Sequence, residues 1–302
     1  AYLFEITDGT DWPQTKLVGD SDAKLGDHFG NSLDISGDAL VIGAEWMDDG
    51  DTGDSGSAFV VRSSYDETTE TWTITEQTKL TASEPSPRDE FGRSVAISGN
   101  TVVVGARLDN AVYVFNYDDS GWVRKAKLEA KDAQGGELFG SSVAIAGDTL
   151  VVGATRGGEA DAKTGSAYVF EYNGSDWEEV TELLVDDLAY NDQFGYSVAI
   201  EDDTIMVGAP RHDDVEIESG AAYVYRRNAG IWILEKKLTG SGLTSKAYFG
   251  HSVALSGNTA VVGAYKNDVL DVVSNLLVDA GSAHLFRFGE SGWDEEEILI
   301  AS

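Results

Sequence analysis

The phrase Asp192-Gln193-Phe194-Gly195-Tyr196-Ser197-Val198-Ala199-Ile200, with Asp203-Thr204-Ile205-Met206-Val207-Gly208-Ala209-Pro210 after a two-residue gap, decides how this chain folds, because it occurs five times. Its Phe-Gly opening stands at Phe29-Gly30, Phe91-Gly92, Phe139-Gly140, Phe194-Gly195 and Phe249-Gly250. Its Gly-Ala close stands at Gly43-Ala44, Gly105-Ala106, Gly153-Ala154, Gly208-Ala209 and Gly263-Ala264. Each Phe precedes its Gly by 14 residues, whereas successive Phe residues are 62, 48, 55 and 55 apart. A phrase of fixed length joined by elastic connections marks a repeat architecture, in which each unit buries its apolar surface against its neighbours.

Each phrase supplies two short β segments rich in Val, Ile and Ala and nearly free of charge, as strands covered on both faces are. After each comes a third segment of the type Ala167-Tyr168-Val169-Phe170 and a fourth running from a Trp to a Leu, such as Trp177 to Leu183. These two alternate apolar with polar residues and suit strands nearer a rim. Six of the seven Trp residues hold this one repeat position, which argues for packing; Trp46 alone falls in a loop. Residues 1–6 and 12–17 repeat the third and fourth segments around an Asp8-Gly9 turn. The sequence therefore predicts an all-β chain: a β-propeller of four-stranded antiparallel blades, with five complete repeats (18–81, 82–130, 131–185, 186–240, 241–302) and an N-terminal half blade (1–17). A parallel β-helix, the competing repeat fold, has much shorter rungs.

The chain carries 21 basic and 53 acidic residues, a formal net charge of −32. Nucleic acid and anionic membranes reward clustered Lys and Arg and are excluded as expected partners. No apolar run is long enough to cross a bilayer, and without cysteine there is no disulfide framework or thiol chemistry.

The Phe-Gly…Gly-Ala phrase, followed by Gly165-Ser166-Ala167-Tyr168-Val169-Phe170 and a Trp-to-Leu strand, resembles the FG-GAP repeat. That is the repeat of the seven-bladed propeller in integrin α-subunit heads and of many secreted proteins. The resemblance covers essentially the whole chain and implies the propeller fold. It implies roles in adhesion, matrix assembly or ligand binding, or as an accessory domain on an enzyme. The integrin-type repeat places an Asp-rich calcium loop between its first two strands. Here that link is Ser36-Gly37-Asp38, Ser98-Gly99-Asn100, Ala146-Gly147-Asp148, Glu201-Asp202-Asp203 or Ser256-Gly257-Asn258, a tight hairpin too short to supply six to eight oxygens. The family's calcium sites are therefore not carried over. Twenty-two strands also fall short of twenty-eight, so the expectation is a missing segment before Ala1 or a ring closing on an incomplete sixth blade.

Individuality lies in the links from second to third strand and from fourth to first, which share one face of a propeller and are strongly acidic. The densest cluster, Asp48, Asp49, Asp51 and Asp54 on a Gly-rich loop, is the candidate Ca²⁺ site, although it lacks the closing Glu of an EF-hand. Asp186, Asp187, Asp213, Asp214, Glu216, Glu218, Asp268 and Asp271 form the candidate partner-binding face. An acid two residues before Phe-Gly (Asp27, Asp89, Glu137, Asp192; Ala247 in the fifth unit) reads as a turn cap. His28, His212, His251 and His284 show no metal-type spacing, and no nucleophile elbow, phosphate loop or zinc-protease helix is present.

These readings converge on a non-enzymatic extracellular or cell-surface module for adhesion, matrix or assembly, holding a protein or glycan partner on its acidic loops. The alternatives are an accessory or catalytic domain of a secreted polysaccharide-active hydrolase or lyase, and a structural subunit of a larger complex.

Overall fold

The computed structural model describes residues 2–4, 14–16, 24–49, 52–66, 71–131, 136–157, 163–270 and 276–300. Every helix or strand among them is a strand, and five four-stranded antiparallel sheets follow in chain order. Blade 1 comprises Leu33–Ser36, Ala39–Ala44, Ser57–Asp66 and Thr71–Leu80; blade 2, Phe91–Ser98, Thr101–Ala106, Ala111–Asp118 and Gly121–Leu128. Blade 3 comprises Phe139–Ala146, Thr149–Ala154, Ser166–Tyr172 and Trp177–Leu183; blade 4, Ser197–Glu201, Thr204–Ala209, Ala221–Asn228 and Ile231–Leu238. Blade 5 comprises Phe249–Ser256, Thr259–Ala264, Ser282–Gly289 and Gly292–Ile300, with a small hairpin (Val269–Leu270 on Leu276–Leu277) in its middle link. Tyr2–Phe4 pairs antiparallel with Gln14–Lys16 in a two-stranded sheet of its own. First and second strands meet through two-residue turns, as where Ser36 pairs with Ala39 and Glu201 with Thr204.

The core lies between the sheets. Val95, Ile97, Val102, Val104, Tyr113 and Phe115 of blade 2 share one buried cluster with Ala39, Val41, Ala58, Val60 and Leu80 of blade 1. The pattern recurs at each later junction. Trp122, Trp177, Trp232 and Trp293 all belong to these clusters, the packing role expected of their repeat position. Burial does not fall steadily from the first strand outward, as the charge pattern suggests. Second strands Thr149–Ala154 and Thr204–Ala209 are buried at every position, and third strands are buried along Ala111–Phe115 and Ala221–Tyr225. The first strand Ser197–Glu201 is only half-buried, whereas Phe91–Ser98, also the edge of its sheet, is buried at six of its eight positions. Second and third strands have a strand on each side, and in blades 2, 3 and 4 a neighbouring blade on each face.

The Phe-Gly turn is the joint. Its first residue accepts the N–H of its fourth: Arg93 to Glu90 at 3.0 Å, Ser141 to Leu138 at 3.1 Å, Tyr196 to Gln193 at 3.0 Å. The glycine holds the third place with φ of 89° at Gly92 and 88° at Gly140, as a type II turn requires. It also lies against the second and third strands of the preceding blade. A Cβ on Gly92 would meet the Ser57 carbonyl oxygen at 2.2 Å, and one on Gly105 would meet that of Gly140 at 2.2 Å. The contact is backbone on backbone, which only glycine permits.

Serine hydroxyls close the seam. Ser32, Ser94, Ser142 and Ser197 donate to the carbonyls of Gly92, Gly140, Gly195 and Gly250 in the following blades, at 3.0, 2.9, 2.8 and 2.8 Å. At the opposite end, the N–H groups of Gly99 and Gly147 donate to Ser36 and Ser98 Oγ, both at 3.0 Å. That of Gly257 donates to Glu201 Oε2 at 2.6 Å. Between blades 3 and 4 the acceptor position is Ala146, which has nothing to offer.

Candidate binding face

Main-chain bonds gather the two variable links at one end of each blade. The second residue after Gly-Ala donates its N–H to the carbonyl two residues before Phe-Gly: Leu108 to Asp89 at 3.3 Å, Arg156 to Glu137 at 2.9 Å, Arg211 to Asp192 at 3.2 Å. The acids at that position cap the turn. Asp27, Asp89 and Asp192 accept the N–H of Lys24, Ser86 and Ala189 at 2.6, 2.6 and 2.8 Å. Blade 5 has Ala247 there, and Asn267 substitutes by accepting the Thr244 N–H at 2.9 Å.

Most predicted site carboxylates are already engaged. Asp48 accepts from Lys24 Nζ at 2.6 Å and from the Asp54 N–H at 2.9 Å, and these bonds hold its carboxyl below the usual range. Asp49 lies 3.7 Å from Lys79, and Asp51 is outside the described residues. Among the described residues no three His, Asp or Glu side chains converge as metal ligands would. In blade 4, Asp213 accepts the Glu218 N–H at 2.7 Å, and Glu218 meets Arg211 and the Tyr248 hydroxyl, each at 3.2 Å. The main-chain N–H of Glu216 donates to Ser219 Oγ at 3.2 Å. Asp268 accepts the Asp279 N–H at 2.8 Å, Asp186 is exposed, and Asp271 is outside the described residues.

Asp187 and Asp214 converge on Lys237 Nζ, at 2.9 and 2.6 Å. The same ammonium donates to His212 Nε2 at 2.8 Å, and His212 Nδ1 lies 2.6 Å from Asp192. Burial alone would raise the Asp187 carboxyl, but hydrogen bonds from Lys237 and Tyr223 hold it low. Burial alone would lower Lys237, but its bonds to Asp214 and Asp187 raise it.

Nearer the Phe-Gly turns the charge changes sign. The residue after each Phe-Gly is Asn31, Arg93, Ser141, Tyr196 or His251, and the pairs after Gly-Ala include Arg107-Leu108, Thr155-Arg156, Pro210-Arg211 and Tyr265-Lys266. A pocket of about 180 Å³ between blades 2, 3 and 4 is lined by Arg93, Arg107 and Arg156, and no carboxylate among the described residues lines it. Glu45 braces Arg93 at 3.1 Å, and Glu90 holds Arg107 through two of its nitrogens. The Tyr196 hydroxyl lies 3.1 Å from His251 Nε2, and the His251 ring lies 4.4 Å from that of Tyr265. Burial, then the positive charge of Arg93, pushes the His251 imidazole below its ordinary value. Composition hid this basic mouth inside an acidic surface. Aligning the five phrases at the residue after Phe-Gly is the signal that finds it.

Sequential four-stranded blades with variable links at one end define a repeat protein of the β-propeller class. The FG-GAP repeat matches residues 12–61, 74–121, 122–170, 177–225 and 232–286, and the chain belongs to that family. These matches are offset from the blades: each later one runs from the fourth strand of one blade into the third strand of the next. No curated protein matches the sequence. Among solved structures the chain is similar to a protein of unknown function from Desulfotomaculum acetoxidans DSM 771 (TM-score 0.55, 10% identity, covering 98% of this chain and 75% of that one). It is also similar to a "putative 6-phosphogluconolactonase" from Bacteroides uniformis ATCC 8492 (TM-score 0.55, 10% identity, covering 90% and 72%). At such identity the likeness concerns the fold.

Proposed function

We propose that the chain is a non-enzymatic extracellular binding module for adhesion, matrix or assembly, and that the loop end of its blades is the contact face for a protein or glycan. One observation carries the reading: the seams repeat the same bonds, while side chains that differ from blade to blade collect on the links at one end. A rigid scaffold with variation confined to its loops is how binding surfaces are commonly built. The catalytic alternative has little to work with. The nearest relay, Asp192–His212–Lys237, ends on an ammonium held by Asp187 and Asp214, which donates protons and cannot act as a nucleophile while charged.

The test immobilises the protein over a panel of matrix proteins and polysaccharides, and assays the same polysaccharides for new reducing ends and unsaturated products. Saturable retention without turnover is the expected result. Product release would replace this reading with the polysaccharide-active alternative, and co-purification at fixed stoichiometry would favour a structural subunit.

A further inference from the structure

We infer that the pocket between blades 2, 3 and 4 binds the carboxylate of a hexuronate residue in a sparsely charged acidic glycan. This rests on the binding-module reading above and names the ligand class for it.

The first argument is charge. In a chain with 53 acids and 21 bases, three guanidiniums line one pocket that, among the described residues, no acid lines. Arg93 and Arg107 each have a carboxylate partner, so the charge left over to attract an anion is chiefly that of Arg156. Two of the three are held in place. Arg93 and Arg107 are braced from behind by Glu45 and Glu90, whose side chains are only 6% and 10% exposed. Each guanidinium has five N–H donors, so bracing leaves donors free toward the pocket. Arg156 is exposed and makes no ion pair among the described residues. Guanidinium forks match a planar carboxylate with two parallel bonds.

The remaining lining points to a sugar. Ser141 Oγ and the buried Thr155 Oγ1 lie 3.3 Å apart, and the Gln193 amide joins them in the pocket wall. Hydroxyls and an amide can each donate and accept, as ring hydroxyls require. Leu138 and Tyr196 supply an apolar wall for the C–H face of a pyranose, and Tyr196 continues into the His251–Tyr265–Tyr248 ring series. A volume of about 180 Å³ is below that of a drug-sized site and suits one sugar unit of a chain crossing the mouth. The chain's net charge of −32 repels dense polyanions and favours ligands whose carboxylates are widely spaced.

The experiment titrates the full chain with a non-sulfated tetrasaccharide of alternating glucuronate and N-acetylglucosamine, and with its methyl ester, by calorimetry. The His251 ring signals are followed by NMR. The free acid should bind at least about tenfold more tightly than the ester, and Arg156→Ala should weaken it by about tenfold or more, with partial recovery in Arg156→Lys. The His251 imidazole pKa should rise on binding, because the carboxylate offsets the Arg93 charge. Equal binding of acid and ester, or full affinity in Arg156→Ala, overturns the inference. So does displacement by a glutamate hexapeptide at lower concentration, which would make the ligand an acidic peptide. Retention of other partners without uronate binding would sink this inference alone. Cleavage of the tetrasaccharide would sink the module reading as well.

Discussion

In each Phe-Gly turn two neighbouring residues answer to different demands. Ser94 donates to the Gly140 carbonyl, and Ser142 and Ser197 repeat that bond one and two blades further on. One position earlier stand Arg93, Ser141 and Tyr196, which share neither charge nor size and meet in one pocket. Alternation along a strand sends adjacent side chains to opposite faces, so the seam can stay constant while the mouth varies. Main-chain carbonyls set the requirements of the seam, and those are the same in every blade. The mouth is set by which side chains three successive blades bring together.

If that division holds, substitutions at the seam should damage the fold and those at the mouth should spare it. The largest effect is expected at Gly92→Ala, which adds a 2.2 Å clash with the Ser57 carbonyl to a left-handed φ of 89° and should cost about 3 kcal/mol or more. Gly121→Ala, at φ 98° with nothing within 4 Å of the added carbon, should cost about 1 kcal/mol from strain alone. Equal losses in denaturant titrations of the two variants would mean that close packing at the seam contributes nothing. Next comes Ser94→Ala, expected to lose about 1–2 kcal/mol by leaving the Gly140 carbonyl unpaired. Arg156→Ala, on the mouth side, should stay within about 0.5 kcal/mol of the parent. A larger loss would show that the mouth also supports the fold.

Acidity sharpens the comparison at a smaller scale. The Asp187 carboxyl is held below its unfolded value, so its contribution is complete above about pH 4 and is lost as the pH falls through the folded value. Lys237 is raised, so its share persists to about pH 10.5 and is lost as the pH rises beyond it. Asp187 is 48% exposed, and the acid-side loss should be no more than about 1 kcal/mol. Melting curves between pH 5 and 3 for Asp187→Asn should lack that step; an unchanged acid profile would remove Asp187 from the network. The smallest response is expected from Ca²⁺ added to chelator-treated protein. Asp48 already faces Lys24 and the Asp54 N–H, so the melting temperature should scarcely move. A saturable rise that Asp54→Ala abolishes would establish the loop as a cation site.

Blade number and strand order were legible because the seam admits few residues. Phe91, Phe139, Phe194 and Phe249 are fully buried, and their glycines tolerate no side chain, so spacing alone exposed the repeat. The two-residue turns were equally plain in Ser-Gly-Asp and Ser-Gly-Asn. The state of the carboxylates was not legible. Lys237 lies 50 residues from Asp187 and 23 from Asp214, and their meeting depends on how a blade returns its fourth strand to the loop end. The arginine pocket draws on residues 93 to 196 across three blades, and no local window contains it. Local density of Asp records where charge is plentiful, whereas recognition depends on where it remains unmatched.

The seam also bears on how such a chain changes over generations. The three middle phrases each carry both halves of the joint: the serine and Gly-Ala strand that receive the next blade, and the Phe-Gly carbonyl that the previous blade grips. A duplication or deletion of one whole unit therefore delivers a donor and an acceptor together, in register, whatever its loops contain. Length and loop chemistry can drift independently, and the gene can lengthen by copying a single exchangeable cassette.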